Sequence, residues 1–177
     1  MSLKVYINLL IKGIPQNVYV IALLTFYIGV VLLLGLYKWR RGWRYCLTLL
    51  LLEYVSLIFC STVIFRRTLK ARAYDYTPFW SYNKSELLVE NMMNVAIFVP
   101  IGLLLGVVHR AMSWKKVLVI GMCLSVGIEV MQLVFRKGFS EVDDVMHNTL
   151  GCLIGYGIYR IIRYGCYQYR VHQKAYS

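Results

Sequence analysis

Nearly uncharged apolar runs of membrane-crossing length recur along this chain, and they dictate its class. They cover residues 18–37, 45–65, 95–108, 117–135 and 145–162. Each approaches or reaches the roughly 20 residues needed to cross about 30 Å of hydrocarbon. The apolar residues come in blocks, not in amphipathic stripes, so the expected fold is all-α: a polytopic integral membrane helical bundle of about five transmembrane helices. Of the 177 residues, 59% are hydrophobic. A soluble domain averages about 45–50%. The first short apolar stretch, near Leu9–Ile11, is broken by Lys12, Gly13 and Pro15, which predicts an interfacial segment and no signal peptide.

The net charge is +12, from 20 Lys and Arg against 8 Asp and Glu. The basic residues crowd into short loops and the C-terminal tail, as at Lys38, Arg40 and Arg41 and along 160–174. That is the pattern of membrane flanks in contact with anionic lipid, and it argues against a nucleic-acid partner. Loops 38–44 and 109–116 and the end after Ile158 hold 11 cations, against 9 on the other side. The dense short basic loops place that side in the cytoplasm. The N-terminus, segment 66–91 and segment 136–144 are then expected outside the bacterial cell membrane, and the C-terminus inside. The five cysteines form no CxxC pair and the three histidines no HExxH, so neither a disulfide framework, a metal site nor a cofactor is expected from them.

Charges inside the apolar runs point to a site. Glu129 lies within 117–135, and Gly121, Ser125, Glu129, Gln132 and Arg136 follow at intervals of 4, 4, 3 and 4. That spacing puts them on one helix face. A polar stripe in lipid turns inward, and intramembrane ionisable residues face a bundle interior, a partner or a cavity. The next run opens with Asp143, Asp144 and Asn148, and the one before with Asn91 and Asn94. The expected result is an outward-facing polar pocket lined by Asn94, Glu129, Gln132, Arg136, Asp143, Asp144 and Asn148. The plainer alternative makes Asn94 and Asn148 helix bridges and Asp143 or Asp144 an N-cap. Gly151 and Gly155 permit close helix approach. Glu53, in the second run, is either a hydrogen-bonded core carboxyl or a member of the pocket.

The stretches Asn94-Val95-Ala96-Ile97-Phe98-Val99-Pro100-Ile101-Gly102, Glu129-Val130-Met131-Gln132 and Asp144-Val145-Met146-His147-Asn148-Thr149-Leu150-Gly151 resemble, in that order, the VanZ family. Tyr76-Thr77-Pro78-Phe79 resembles its Pro-Phe element, and Arg66-Arg67 also fits. The resemblance spans about residues 54–162. It implies a VanZ-like four-helix membrane domain at 45–165, with an interfacial segment and an additional helix in 1–44 and a basic cytoplasmic tail at 166–177. Glu141 stands where relatives often carry Asp. The family is associated with lowered susceptibility to glycopeptide antibiotics of the teicoplanin type.

Three functions follow as expectations. The first is a binding or envelope-modifying protein for a membrane lipid or lipid-linked cell-wall precursor. In it Arg66, Arg67 and Arg136 pair with phosphate, and Asn94, Gln132 and Asn148 bond sugar or amide groups. The second is an intramembrane enzyme with Glu129 as general acid or base and Asp143 or Asp144 stabilising charge or holding a divalent cation. Ser125 and Ser140 offer no evident base partner in the sequence. The third is a small transporter, for which a homo-oligomer would supply the spans that one copy lacks.

Overall fold

In the computed structural model the described residues are 42–83 and 87–175, together with the single position Gly29. The expected interfacial segment and, apart from Gly29, the first span, 18–37, lie outside them. Four helices account for most of the described chain: α1 (Gly42–Phe59), α2 (Leu87–Val108), α3 (Trp114–Phe135) and α4 (Val142–Ala175). A π-helical turn, Cys60–Ile64, prolongs α1. Three helices are long and apolar enough to cross a membrane: Gly42–Ile64, Leu87–Val108 and Trp114–Phe135.

The expected spans are extended at their ends. The third begins at Leu87, eight residues before Val95, so the long loop after α1 is shorter than the hydropathy suggests. Glu90 and Asn91 are helical despite their polarity, because Asn91 is buried and bonds Ser81. The fifth run forms the first part of α4, which continues to Ala175 without a break.

The all-α expectation requires one correction. Strands β1 (Ala73–Asp75) and β2 (Phe139–Glu141) pair in parallel, Ala73 with Phe139, Tyr74 with Ser140 and Asp75 with Glu141. The pairing ties the loop after α1 to the connection between α3 and α4. Leu69 N–H donates to Arg136 O at 2.7 Å beside it. A three-residue strand has no hydropathy signature of its own. Its partner, more than 60 residues away, supplies the hydrogen bonds that make it a strand.

Helices α2 and α4 pack main chain against main chain. A Cβ on Gly151 would overlap Val95 O, one on Gly155 would overlap Val99 O, and one on Gly102 would overlap the Cys152 carbonyl. Glycine spacing of this kind lets helices approach to backbone contact, where dispersion and weak C–H···O contacts operate. Phe98, Ile101, Leu105, Cys152 and Tyr156 fill the seam and join Leu51, Ile58 and Val63 from α1 and its turn and Val117 and Ile128 from α3 in one core. Val119, Met122, Val126, Val130 and Val134 form the exposed apolar ladder of α3, the surface a bilayer would cover.

The α2–α4 contact is testable by size. Gly155→Leu forces a side chain into main-chain carbonyl. Overpacking costs about 1–3 kcal/mol even where side chains can yield, and the obstacle here is backbone. Gly157 has nothing within 4 Å of a built Cβ. Gly155→Leu is therefore expected to lower the thermal midpoint of the purified protein strongly, or to prevent folding, whereas Gly157→Leu leaves it nearly unchanged.

Candidate functional site

The two-strand ribbon caps one end of the bundle, and the polar residues singled out in the sequence gather beneath it. Glu129 and Gln132 arrive on α3, Asn94 on α2, and Asp143, Asp144 and Asn148 on α4. On α3 the inward stripe is as expected: Ser125 is 0%, Glu129 6% and Gln132 2% exposed. Arg136 does not continue it. It is the left-handed C-cap of α3, at φ 55°, with its N–H bonded to Gln132 O and its side chain exposed. The αL residue that ends the helix swings off its face, so helical spacing alone misplaced this side chain.

Asp143 is the hub of the cap. It is fully buried. Its Oδ1 accepts from Phe79 N–H at 2.6 Å, and Oδ2 accepts from Ser81 N–H at 3.1 Å and Ser81 Oγ at 2.6 Å. Asn91 Nδ2 donates to the same Ser81 Oγ at 3.0 Å. Burial opposes ionisation of Asp143, but the donors from Ser81 and Phe79 overcome it and hold its carboxyl below the ordinary range. These bonds also fix Phe79 at φ 65°, a conformation that costs free energy in a non-glycine residue. Asp143 therefore anchors the aromatic loop, and no oxygen on it is left without a donor.

Asp144 and Glu129 form the second part of the cluster. Asn94 Nδ2 donates to Asp144 Oδ1 at 2.7 Å, so this asparagine joins α2 to the cluster. Glu129 Oε2 accepts from Glu141 N–H at 2.9 Å, and the Ser140 hydroxyl also interacts with this carboxyl. Ser140, buried at 2% exposure, thus has a carboxyl neighbour that the sequence did not disclose. Asn148 lies deeper, its Nδ2 donating to Ser125 Oγ at 2.8 Å. That bond bridges α4 and α3, as the plainer reading of Asn148 supposes.

Arg66 is the cation whose charge reaches both Glu129 and Asp144. Its guanidinium lies over Gly138, where a Cβ would come within 2.8 Å of Cζ. Arg67 and Arg136 are both exposed, and neither is brought into the cluster. Burial, with the Asp144 charge adding, pushes Glu141 up to about 7 against the Trp80 side chain. Burial also pushes Asp144 up to about 6, with Arg66 opposing and Glu90 adding. The cluster is acid-rich around a single guanidinium.

A buried amide oxygen and a buried carboxyl oxygen have no hydrogen-bond partner among the described residues. Gln132 Nε2 donates to Thr62 O at 3.3 Å, but its Oε1 has no hydrogen-bond partner among the described residues. Such an orphaned oxygen is uncommon in a folded interior. Glu53 is not drawn into the cluster: its Oε2 lies 3.6 Å from a Cβ built on Gly29, and its Oε1 also lacks a partner among the described residues. Among the described residues no three His, Cys, Asp or Glu side chains are grouped to hold a metal ion. The sequence reading also missed Ser81 and the Tyr82 OH···His147 Nε2 contact at 2.8 Å. No charge or spacing marks Ser81 or Tyr82, and the fold of the loop delivers them to Asp143 and to His147 on α4.

The carboxyls separate in their response to substitution and pH. Asp143→Asn removes a charged acceptor of three hydrogen bonds, each worth about 1.5–3 kcal/mol to an ionised group. It is expected to destabilise the fold by about 3 kcal/mol or more and to open segment 66–83 to limited proteolysis. Asp144→Asn keeps an acceptor for Asn94 and costs less. Glu141 (about 7) and Asp144 (about 6) keep protons when folded that the unfolded chain releases near pH 4. Their contribution to stability is therefore largest at low pH and is lost as pH rises from about 4 toward 7. Thermal midpoints over this range should fall, and the fall should shrink in Glu141→Gln.

The chain is 31% identical over 88 residues to Protein VanZ of Enterococcus faecium, a match covering 50% of this chain and 53% of that protein. The chain thus spans about half the length of the curated relative it matches. No solved structure matches it. The VanZ/LLP1 family model matches residues 24–163. That range contains every residue of the cluster, and with it the chain belongs to the VanZ/LLP1 family.

Proposed function

We propose that this protein is a multi-pass membrane protein that binds the polar head of a lipid-linked envelope component, and that it thereby lowers susceptibility to glycopeptide antibiotics of the teicoplanin type. The reading takes residues 145–162 of α4 and the segment 18–37 as further spans, giving five, with domain limits 1–44, 45–165 and 166–177. The ribbon end faces outward and the C-terminus the cytoplasm, in accord with the dense basic turns at the other end.

The observation that carries the reading is the junction of Glu129, Asp144 and Asn94 beside the orphaned Gln132 Oε1 under a polar cap. An intramembrane carboxylate with a neighbouring guanidinium and an unused amide oxygen offers a ligand both charge and hydrogen bonds. Arg66 is the cation placed to meet a phosphate, and Gln132 Oε1 accepts from a sugar hydroxyl or peptide N–H. Asp143 holds the cap in place and meets no ligand.

The test is susceptibility to teicoplanin in cells that express the protein, with membrane levels measured in parallel. Glu129→Gln, Asp144→Asn and Arg66→Ala are each expected to abolish protection at wild-type abundance. Arg67→Ala and Arg136→Ala, outside the cluster, are expected to retain it. Full protection by all three cluster variants would remove the site from the mechanism.

A second reading is favoured by the Ser140–Glu129 contact. There the carboxylate takes the Ser140 proton as general base, the serine oxygen bonds to a carbonyl carbon or phosphorus of the substrate, and the bond to the substrate's leaving group breaks as that group takes the proton back from Glu129. Ser140→Ala would then retain binding of a labelled lipid-linked precursor while ending its turnover. Unchanged turnover excludes this reading.

A further inference from the structure

Among the described residues, the charged side chains at the end opposite the ribbon are all cations. α1 reaches that end at Gly42, α2 and α3 turn there through residues 109–113, and α4 passes the turn and continues. Two bonds pin α4 as it passes: Tyr156 OH donates to Met112 O, and Arg163 Nη1 donates to Arg110 O at 2.9 Å. From Arg160 to Gln173 every residue of α4 is exposed. Arg44, Arg110, Lys115 and Lys116 are exposed around the same end.

The projecting helix is patterned. Arg160, Arg163, Tyr167 and Arg170 follow at intervals of 3, 4 and 3 and share one face. Because Arg163 bonds Arg110 in the turn, that face looks toward the bundle end across a corner, where Lys115 and Lys116 open α3 just beyond the turn. Arg163 and Arg170 are about 10 Å apart along the axis. That length crosses a headgroup layer, which adds about 5–8 Å to each side of the hydrocarbon, and reaches a few ångströms beyond it. Tyr164, Tyr167 and Tyr169 stand exposed between them, and such rings favour the headgroup level. Trp114, with Lys115 Nζ 5.7 Å from its ring centroid, is exposed at the base of the corner.

No acid among the described residues stands at this corner. The eight acids of the sequence are Glu53, Asp75, Glu86, Glu90, Glu129, Glu141, Asp143 and Asp144. Glu53 lies within α1, and the other described acids belong to the ribbon end or the segments leading into it. Residues 1–41 carry no acid. A molecule of negative charge complements the corner.

We infer that the corner between the α2–α3 turn and the projecting face of α4 docks the headgroups of anionic phospholipid, with Arg163 and Arg170 on the helix and Arg110 and Lys116 at its base as the contacting cations. Arginine offers paired donors to a phosphate, and basic clusters next to a membrane helix attract anionic leaflets over about a Debye length. The inference does not depend on the function of the Glu129 cluster.

The experiment uses the purified full chain in zwitterionic detergent, titrated with short-chain phosphatidylglycerol or phosphatidylcholine and read by thermal shift and by lipid adducts in native mass spectrometry. Phosphatidylglycerol is expected to bind and stabilise in a salt-sensitive manner, and phosphatidylcholine not to. Each cation removed near an anionic surface weakens binding about fivefold. Arg170→Gln, whose residue bonds nothing in the bundle core, should show that loss, and Arg163→Gln/Arg170→Gln about its square. Lys70→Gln/Arg72→Gln, at the ribbon end, should bind as the unmodified protein does. Equal response to the two lipids, or unchanged affinity in both Arg170 variants, overturns the inference. Capture of a Glu-rich helical peptide with no lipid preference also overturns it and assigns the face to an acidic protein partner.

Discussion

The backbone contact between α2 and α4 sets the register on which the rest of the structure depends. Gly151 against Val95 O and Gly155 against Val99 O leave no room to slide one helix along the other. A shift by one residue would bring a side chain where only hydrogen fits. With that register fixed, Asn94 stands beside Asp144, two helical turns before Gly151 on α4. Asn91, one turn earlier on α2, stands where it can reach Ser81. A packing constraint in the apolar interior thus determines which polar groups meet at its end.

The cap shows how a membrane protein manages irregular backbone. Main chain outside a helix must find partners wherever water is scarce. Here the loop after α1 finds them in two ways, through the strand pairing of 73–75 with 139–141 and through the Asp143 carboxylate. The second is the more demanding, because a buried ionised group is tolerated only when its lone pairs are satisfied. The three donors on Asp143 meet that condition. The neighbouring Asp144 and Glu141 lack as many donors, and burial raises them toward neutrality. Adjacent carboxyls in one short segment thereby divide into a structural anion and groups poised to change charge.

The two ends of the bundle differ in charge. Acids gather at the ribbon end together with Arg66, Arg67, Lys70, Arg72, Arg136 and Lys137, and among the described residues the other end carries only basic charge. This polarity is encoded before folding, since helices that run antiparallel bring alternate loops to the same side. The structure adds the length of α4, which carries basic residues past the bundle as an ordered helix. Composition predicts a tail there, but only helical register turns its cations into a face.

Helix count and placement were legible in the described region because apolar length is a strong, local signal, and the inward stripe of Ser125, Glu129 and Gln132 was legible because a helix repeats on a known period. The family motifs were legible as ordered residues. Arg136 was misplaced because the helix ends in a left-handed residue that periodicity cannot foresee. The strand pair, the Ser81–Asp143 anchor, the Ser140–Glu129 contact and the choice of Arg66 over Arg67 were not legible, because each joins residues more than ten positions apart or depends on loop direction. The sequence by itself determined which segments are apolar enough for a membrane, and that carboxylates interrupt them. Tertiary structure decided which carboxylate is anchored, which is left with spare capacity and which cation faces them, because burial and hydrogen bonding are properties of neighbours in space.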